Sequence, residues 1–305
     1  MQTAPHSSPK DYRFNYPQEI DAVIAAHPDA FENIFFVSAP WQTARSNLNF
    51  ECFGPAWDKF KDDEDARRQV EYSVMRTVES STSRAVVYPP KDMKYIVIFF
   101  PNAMNERKPH DMAFTFDHEV GHHLVPSGFL RTGEESDMLK GESAADAYAS
   151  LRCLQRFGAK DGLAILDNAH TQRMLYPLRT HVKGDWIHLT TAVLQQIIAD
   201  HPDSGFETMT PEETLREAEF YAQKFSPGLD AVKTEWEKTS AITAAKPAAP
   251  SATMKQQEED VRQFQANSPT RRRKNKTWQV ASLSLFCLFF IMALVSLASL
   301  VAKLF

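Results

Sequence analysis

The segment His118-Glu119-Val120-Gly121-His122 constrains this chain more than any other, because it sets two imidazoles four residues apart. On a helix, positions i and i+4 lie about 40° apart around the axis, so His118 and His122 can grip one metal ion from one side. Ala113, Phe114, Phe116, Val120 and Leu124 supply apolar surface for burying such a helix. Asp111 is placed to cap its start, and Pro126 and Gly128 stop it soon after the second histidine. Glu119 sits beside the pair, where it can polarise a water on the metal without itself being a ligand. His123 lies about 100° round from His122 and reads as a packing or cleft-lining residue.

Glu142 follows His122 by 20 residues, in the stretch Gly141-Glu142-Ser143-Ala144-Ala145-Asp146-Ala147-Tyr148-Ala149. A catalytic zinc takes three protein ligands and keeps one open position, and Glu142 completes a His₂Glu set for Zn²⁺. Asp146, one helical turn on, shares a face with Glu142. It is placed to accept the free ring N–H of a ligand histidine and so fix that ring's tautomer and orientation. The reverse assignment, with Asp146 as the third ligand and Glu142 outside it, uses the same face. A purely structural zinc site fits less well, since such sites carry four protein ligands and no adjacent general base.

These motifs resemble those of the gluzincins, the zinc peptidases typified by thermolysin, in which a Glu about 20 residues after the H-E-x-x-H helix is followed four residues later by an outer Asp. The wording Glu142-x-x-Ala145-Asp146-x-Tyr148-Ala149 is also similar to the E-x-x-A-[N/D]-x-[F/Y]-A stretch of ImmA/IrrE-type cytoplasmic metallopeptidases. The likeness covers residues 111–157. It implies an α+β, zincin-like fold, with a small sheet, then the zinc helix, then a mainly helical C-terminal part. It also implies a peptide or protein substrate, met by a sheet edge, and a group opposite the metal that stabilises the oxyanion. Tyr176, Arg179, His181 and His188 are the candidates for that group.

The rest of the chain is consistent with such a body. Residues 18–26 have helical spacing ending at His27-Pro28, residues 31–37 are an apolar run too short to assign, and 41–60 read as aromatic packing and loop. Residues 62–80 read as an amphipathic helix carrying Val70, Val74 and Val78, and residues 84–88 and 94–100 as two strands joined by a turn. Residues 125–140 read as a loop whose Glu134, Glu135 and Asp137 form a solvated acidic cluster. Helices are expected over 142–157, ending near Gly158, and over 161–175, 185–200 and 211–224, the last opened by a Thr210/Glu213 capping box.

The peptidase domain is expected over 1–240, with a linker carrying a basic run over 241–277 and an apolar, uncharged segment over 278–302 long enough to span a bilayer. Arg271-Arg272-Arg273-Lys274-Asn275-Lys276 flanks that span, and the positive-inside tendency puts the enzyme body on the cytosolic side of a C-terminal tail anchor. No secretory signal is evident in residues 1–17. The chain has 34 basic and 39 acidic side chains; six of the basic ones and none of the acidic ones fall in 271–305, so residues 1–270 carry a net −11. A body that acidic argues against nucleic acid as a partner. Cys52, Cys153 and Cys287 are too scattered for a disulfide framework or a cysteine metal site, which points to a reducing compartment. The expected function is a membrane-tethered zinc endopeptidase. The alternative is a membrane-anchored, zinc-binding sensor or scaffold that cuts nothing.

Overall fold

The computed structural model describes residues 8–32, 34–39, 50–80, 86–88, 96–101, 108–128, 134–179 and 185–245. They fall almost wholly in a unit spanning Met1–Ile242; the second unit is Thr243–Phe305. The span at 278–302, its basic flank, Cys287 and nearly all of the linker lie outside the described residues, as does His181. Among the described residues, no helix is long and apolar enough to cross a membrane.

The chain opens with α1 (Tyr16–Ala26), whose first turn is capped by the Asn15 side chain and carries Pro17 where a missing N–H costs nothing. A four-stranded mixed sheet follows, in the order β2-β1-β4-β3, built from β1 (Ile34–Ala39), β2 (Glu51–Phe53), β3 (Val86–Tyr88) and β4 (Ile96–Pro101). β1 runs parallel to β4, with Ile34 opposite Ile96 and Phe36 opposite Ile98, while β2 and β3 add antiparallel on the two outer sides. The sheet accounts for the apolar run at 31–37, because β1 is a central strand buried on both faces. Ile34 and Phe36 point into one core with α1 residues Ile20 and Val23, while Phe35 and Val37 point into another with Val70 and Val74. Such a strand shows no polar alternation to reveal it.

Val70 and Val74 belong to α3 (Glu64–Ser80), which covers the second face together with α2 (Pro55–Phe60). β2 and α2 correct the expectation of loop over 41–60. A three-residue strand is too short to show alternation, and α2 is a short helix whose only clear signal is Pro55 in its first turn.

The other face of the sheet is backed by α4 (Pro109–Leu124), which presents Phe116 and Val120 to the same core as Phe36 and Ile20. α4 begins at Pro109 rather than at Asp111, so Asp111 lies within its first turn, where its charge complements the helix dipole. After a 3₁₀ turn at Pro126–Gly128 comes α5 (Glu135–Met174). α5 starts inside the stretch expected to be loop, and its N-cap Glu134 and first residue Glu135 are exposed.

α5 is two helices joined at Gly158, where φ is 71° and ψ is 178°, a backbone state that glycine tolerates and other residues resist. The second half folds back along the first. Gly162 therefore comes against Leu154, where a Cβ would lie 3.2 Å from the Leu154 Cα, and Arg173 comes alongside Asp146. The expected break near Gly158 is where the chain turns.

α6 (Tyr176–Arg179) and a 3₁₀ turn at Asp185–His188 lead to α7 (Thr191–Ser204), so the single helix expected over 185–200 is interrupted at Leu189-Thr190. α8 (Pro211–Phe225) carries the expected reciprocal capping box between Thr210 and Glu213. α9 (Leu229–Ala245) lays Val232 against Leu139 and Leu189, with Trp186 and Trp236 at the rim.

A buried ionic network ties the N-terminal segment to the two central helices. Arg156 on α5 reaches Glu19 on α1 at 2.6 Å, the Tyr12 hydroxyl at 3.1 Å, and both carboxylate oxygens of Asp117 on α4 at 3.2 and 2.9 Å. Each charge is thereby paired, which its burial requires. Asp117 neighbours His118, so the network fixes the helix that carries the histidines from its opposite side.

Candidate metal centre

α4 and α5 pack closely enough to share one site because the residue between them is glycine. A Cβ on Gly121 would lie 3.0 Å from the Ala145 Cα and 3.1 Å from the Tyr148 Cβ, closer than packed side chains come. With the helices so near, His118, His122 and Glu142 converge: the Nε2 atoms of the two histidines are 3.2 Å apart, and Glu142 places Oε2 3.3 Å from His118 and Oε1 3.5 Å from His122. In tetrahedral coordination with bonds of about 2.05 Å, neighbouring ligand atoms are roughly 3.3 Å apart. The two ring nitrogens are separated by about that edge, each Glu142 oxygen lies at a similar distance from one of the rings, and one ligand atom from each residue falls within 4.8 Å of the other two, so this group could hold a metal ion, and it is the one such group among the described residues.

The outward ring nitrogens are tied down, which leaves Nε2 of each histidine aimed at the shared centre. His118 donates from Nδ1 to Asp146 at 2.7 Å, and His122 donates from Nδ1 to the backbone carbonyl of Gly128 at 2.9 Å. Asp146 is in turn fully buried and held by a fork: Arg173 donates from Nε to Oδ2 at 2.8 Å and from Nη2 to Oδ1 at 2.7 Å, and the Thr190 hydroxyl donates to Oδ2. Burial alone would push the Asp146 carboxyl up, but Arg173 and His118 hold it far below the usual range. Burial opposes charge on His118 as well, yet Asp146 and Glu142 raise it to about 10. Two carboxylates facing two imidazoles in a buried space make a site that favours a cation.

Glu119 is buried beside its partners, and loss of solvent pushes its carboxyl up against the opposing pull of His118 and His122. His123 turns away, as expected: its Nε2 is 2.6 Å from the Ala30 carbonyl and its ring packs 5.6 Å from Phe31. Of the candidates for a group opposite the metal, His188 donates from Nδ1 to Glu142 Oε2 at 3.0 Å, and the Tyr176 ring packs against it at 5.1 Å. Burial and the nearby Asp185 push the Tyr176 hydroxyl up to about 12. Arg179 falls in α6, with its side chain outside what is described, and His181 lies outside the described residues. Glu134, Glu135 and Asp137 take no part in the cluster. Cys52 and Cys153 are free thiols held up by burial, Cys52 to about 12.

Arg173, Thr190 and the Gly128 carbonyl escape a reading of the sequence. Arg173 reaches Asp146 only because the chain reverses at Gly158, and a backbone carbonyl has no sequence signature. Comparison of the chain with protein-family models, curated proteins and solved structures finds no match.

Proposed function

We propose that the chain is a gluzincin-like zinc peptidase, with His118, His122 and Glu142 as zinc ligands, Glu119 as general base and Asp146 as the residue that orients His118. The observation that carries the reading is the convergence of one ligand atom from each of His118, His122 and Glu142 within 4.8 Å of one another, the two ring nitrogens 3.2 Å apart, with both outward ring nitrogens already engaged. A set of two histidines and one carboxylate, with a buried glutamate adjacent, is the donor chemistry of a hydrolytic rather than a structural zinc site. Zinc bound there supplies Lewis-acid polarisation of a carbonyl and lowers the pKa of water from about 15.7 towards about 7.

The chain's own residues do the rest. Asp146 keeps the His118 proton on Nδ1, and the Gly128 carbonyl does the same for His122, so neither ring can flip its tautomer. Glu119 takes a proton from the attacking water on a carboxylate oxygen and delivers it to the leaving nitrogen; its buried setting raises its affinity for that proton. His188, hydrogen-bonded to Glu142 and with Tyr176 packed against it, is the candidate for the oxyanion-stabilising group that stands beside the site. The apolar segment at 278–302 tethers the enzyme to a membrane, with the basic run at 271–276 and the body on the cytosolic side, so that substrates are proteins near that surface.

The test is cleavage of casein by the purified chain. Activity should be abolished by a chelator and restored by zinc. Glu119→Gln should keep its zinc and lose at least about a hundredfold in rate, the lower end of the usual range of roughly 10²–10⁴ for a general base. Full activity in that variant, or cleavage indifferent to chelation, rules the reading out.

A further inference from the structure

The two histidines are braced differently, and the difference points to a distant residue. His118 rests on a carboxylate that is itself locked by Arg173 and Thr190, whereas His122 rests on one backbone carbonyl in a three-residue turn. A carbonyl orients a ring only as well as its turn is held. The Pro126–Gly128 turn is wedged against the helices: a Cβ on Gly128 would lie 2.5 Å from the Gly121 carbonyl oxygen and 2.9 Å from the His122 Cα, and one on Gly141 would lie 2.9 Å from the Gly128 oxygen.

On its outer side the turn is clamped by α8. Ser127 donates to Glu219 twice, from its backbone N–H to Oε2 at 2.8 Å and from its hydroxyl to Oε1 at 2.6 Å. Gln223, one helical turn further along α8, donates to both Glu219 Oε1 at 2.6 Å and Ser127 Oγ at 2.8 Å, and Lys140 on α5 donates to Gln223. Burial works against charge on Glu219, but the Ser127 and Gln223 donors outweigh it and hold the carboxyl below its ordinary range. The Ser127 side chain is buried, and its two hydrogen bonds to Glu219 tie this turn to α8 alongside the one from Gln223.

We propose that Glu219 is a positioning residue for the metal centre: by gripping Ser127 at both backbone and side chain, it holds the Gly128 carbonyl where His122 Nδ1–H must find it, and so keeps His122 Nε2 aimed at the ion. The inference rests on the assignment of His122 as a zinc ligand. Loss of an outer partner of a ligand histidine weakens metal binding by roughly 10–100-fold, and Glu219 acts one step further out, so about tenfold is expected.

The experiment is a competition titration of zinc against a chromophoric chelator on the full chain in detergent, well below the melting temperature. Glu219→Ala should bind zinc about tenfold more weakly, while Glu219→Gln, which can still accept the Ser127 N–H, should recover most of the loss. Tyr221→Phe serves as the control, since it deletes a hydrogen bond from the same helix to Asp200 without touching the turn; it should lower the melting temperature and leave zinc affinity unchanged. Should Glu219→Ala not fold, Ser127→Ala must weaken zinc by at least threefold. Wild-type affinity in Glu219→Ala, or in Ser127→Ala where that variant stands in, overturns the proposal while leaving the metal centre intact. A wild-type chain that binds no zinc overturns the metal centre and the brace together.

Discussion

At the scale of single residues, the site depends on carboxylates doing different work in nearly the same place. Glu142 offers its oxygens to the centre, while Asp146, one turn along α5, is turned to the back of His118 and neutralised by Arg173. Asp146→Asn separates these roles. It leaves the partly buried Arg173 guanidinium without its counter-charge, which costs less than the roughly 3–5 kcal/mol of breaking a fully buried pair. It also weakens the hold on His118, for a roughly 10–100-fold loss of zinc affinity. Urea denaturation and zinc titration measure the two effects separately; a variant as stable as the parent and equally avid for zinc would show that Asp146 orients nothing. The histidine and carboxylate positions were legible in the sequence, because helical spacing alone puts His118 with His122 and Glu142 with Asp146 on shared faces. Arg173, Thr190 and Glu219 were not, because each is brought in by contacts across more than 25 residues of chain.

At the scale of elements, the centre is a contact between α4 and α5, and the contact is set by Gly121. Replacing it with alanine would place a methyl group 3.0 Å from the Ala145 Cα and 3.1 Å from the Ala145 carbonyl oxygen, backbone atoms that cannot swing aside. The helices must separate by tenths of an ångström, with an overpacking cost of about 1–3 kcal/mol. Glu142 then retreats from the histidines, so zinc binding should weaken along with the melting temperature; a Gly121→Ala chain that keeps both would mean the helices have slack the structure does not show. The body of α4, and α5 from residue 142 to Gly158, were readable because Pro126, Gly128 and Gly158 mark their C-terminal ends and their buried faces keep a helical period. β1 resisted assignment for the opposite reason, since a strand covered on both faces has no polar side, and β2 with α2 was too short to carry any period. The first turn of α5 was mistaken for loop because Glu134, Glu135 and Asp137 look like solvated loop, whereas at a helix N-terminus the same charges favour the helix dipole.

At the scale of the molecule, the sheet and its aromatic core hold one side of α4 and the helical C-terminal part holds the other, so the centre sits where the two halves of the 1–242 unit meet. The Arg156 network, running from Tyr12 and Glu19 to Asp117, carries that support from the N-terminal segment to the residue next to His118. The strand pair at 84–88 and 94–100 and most of the helices were legible from their apolar patterns, and the α+β class from the resemblance to the gluzincins. The clamps that make the fold rigid were not, since they join distant segments through single polar side chains. Everything proposed for the chain's chemistry requires that the centre hold zinc through His118, His122 and Glu142. Metal analysis of the purified chain, combined with zinc-edge X-ray absorption, tests that claim directly. The expected result is one zinc per chain with only nitrogen and oxygen neighbours at about 2.0–2.1 Å, lost in His122→Ala. A chain without stoichiometric zinc, sulfur among the neighbours, or zinc retained after His122→Ala would contradict it.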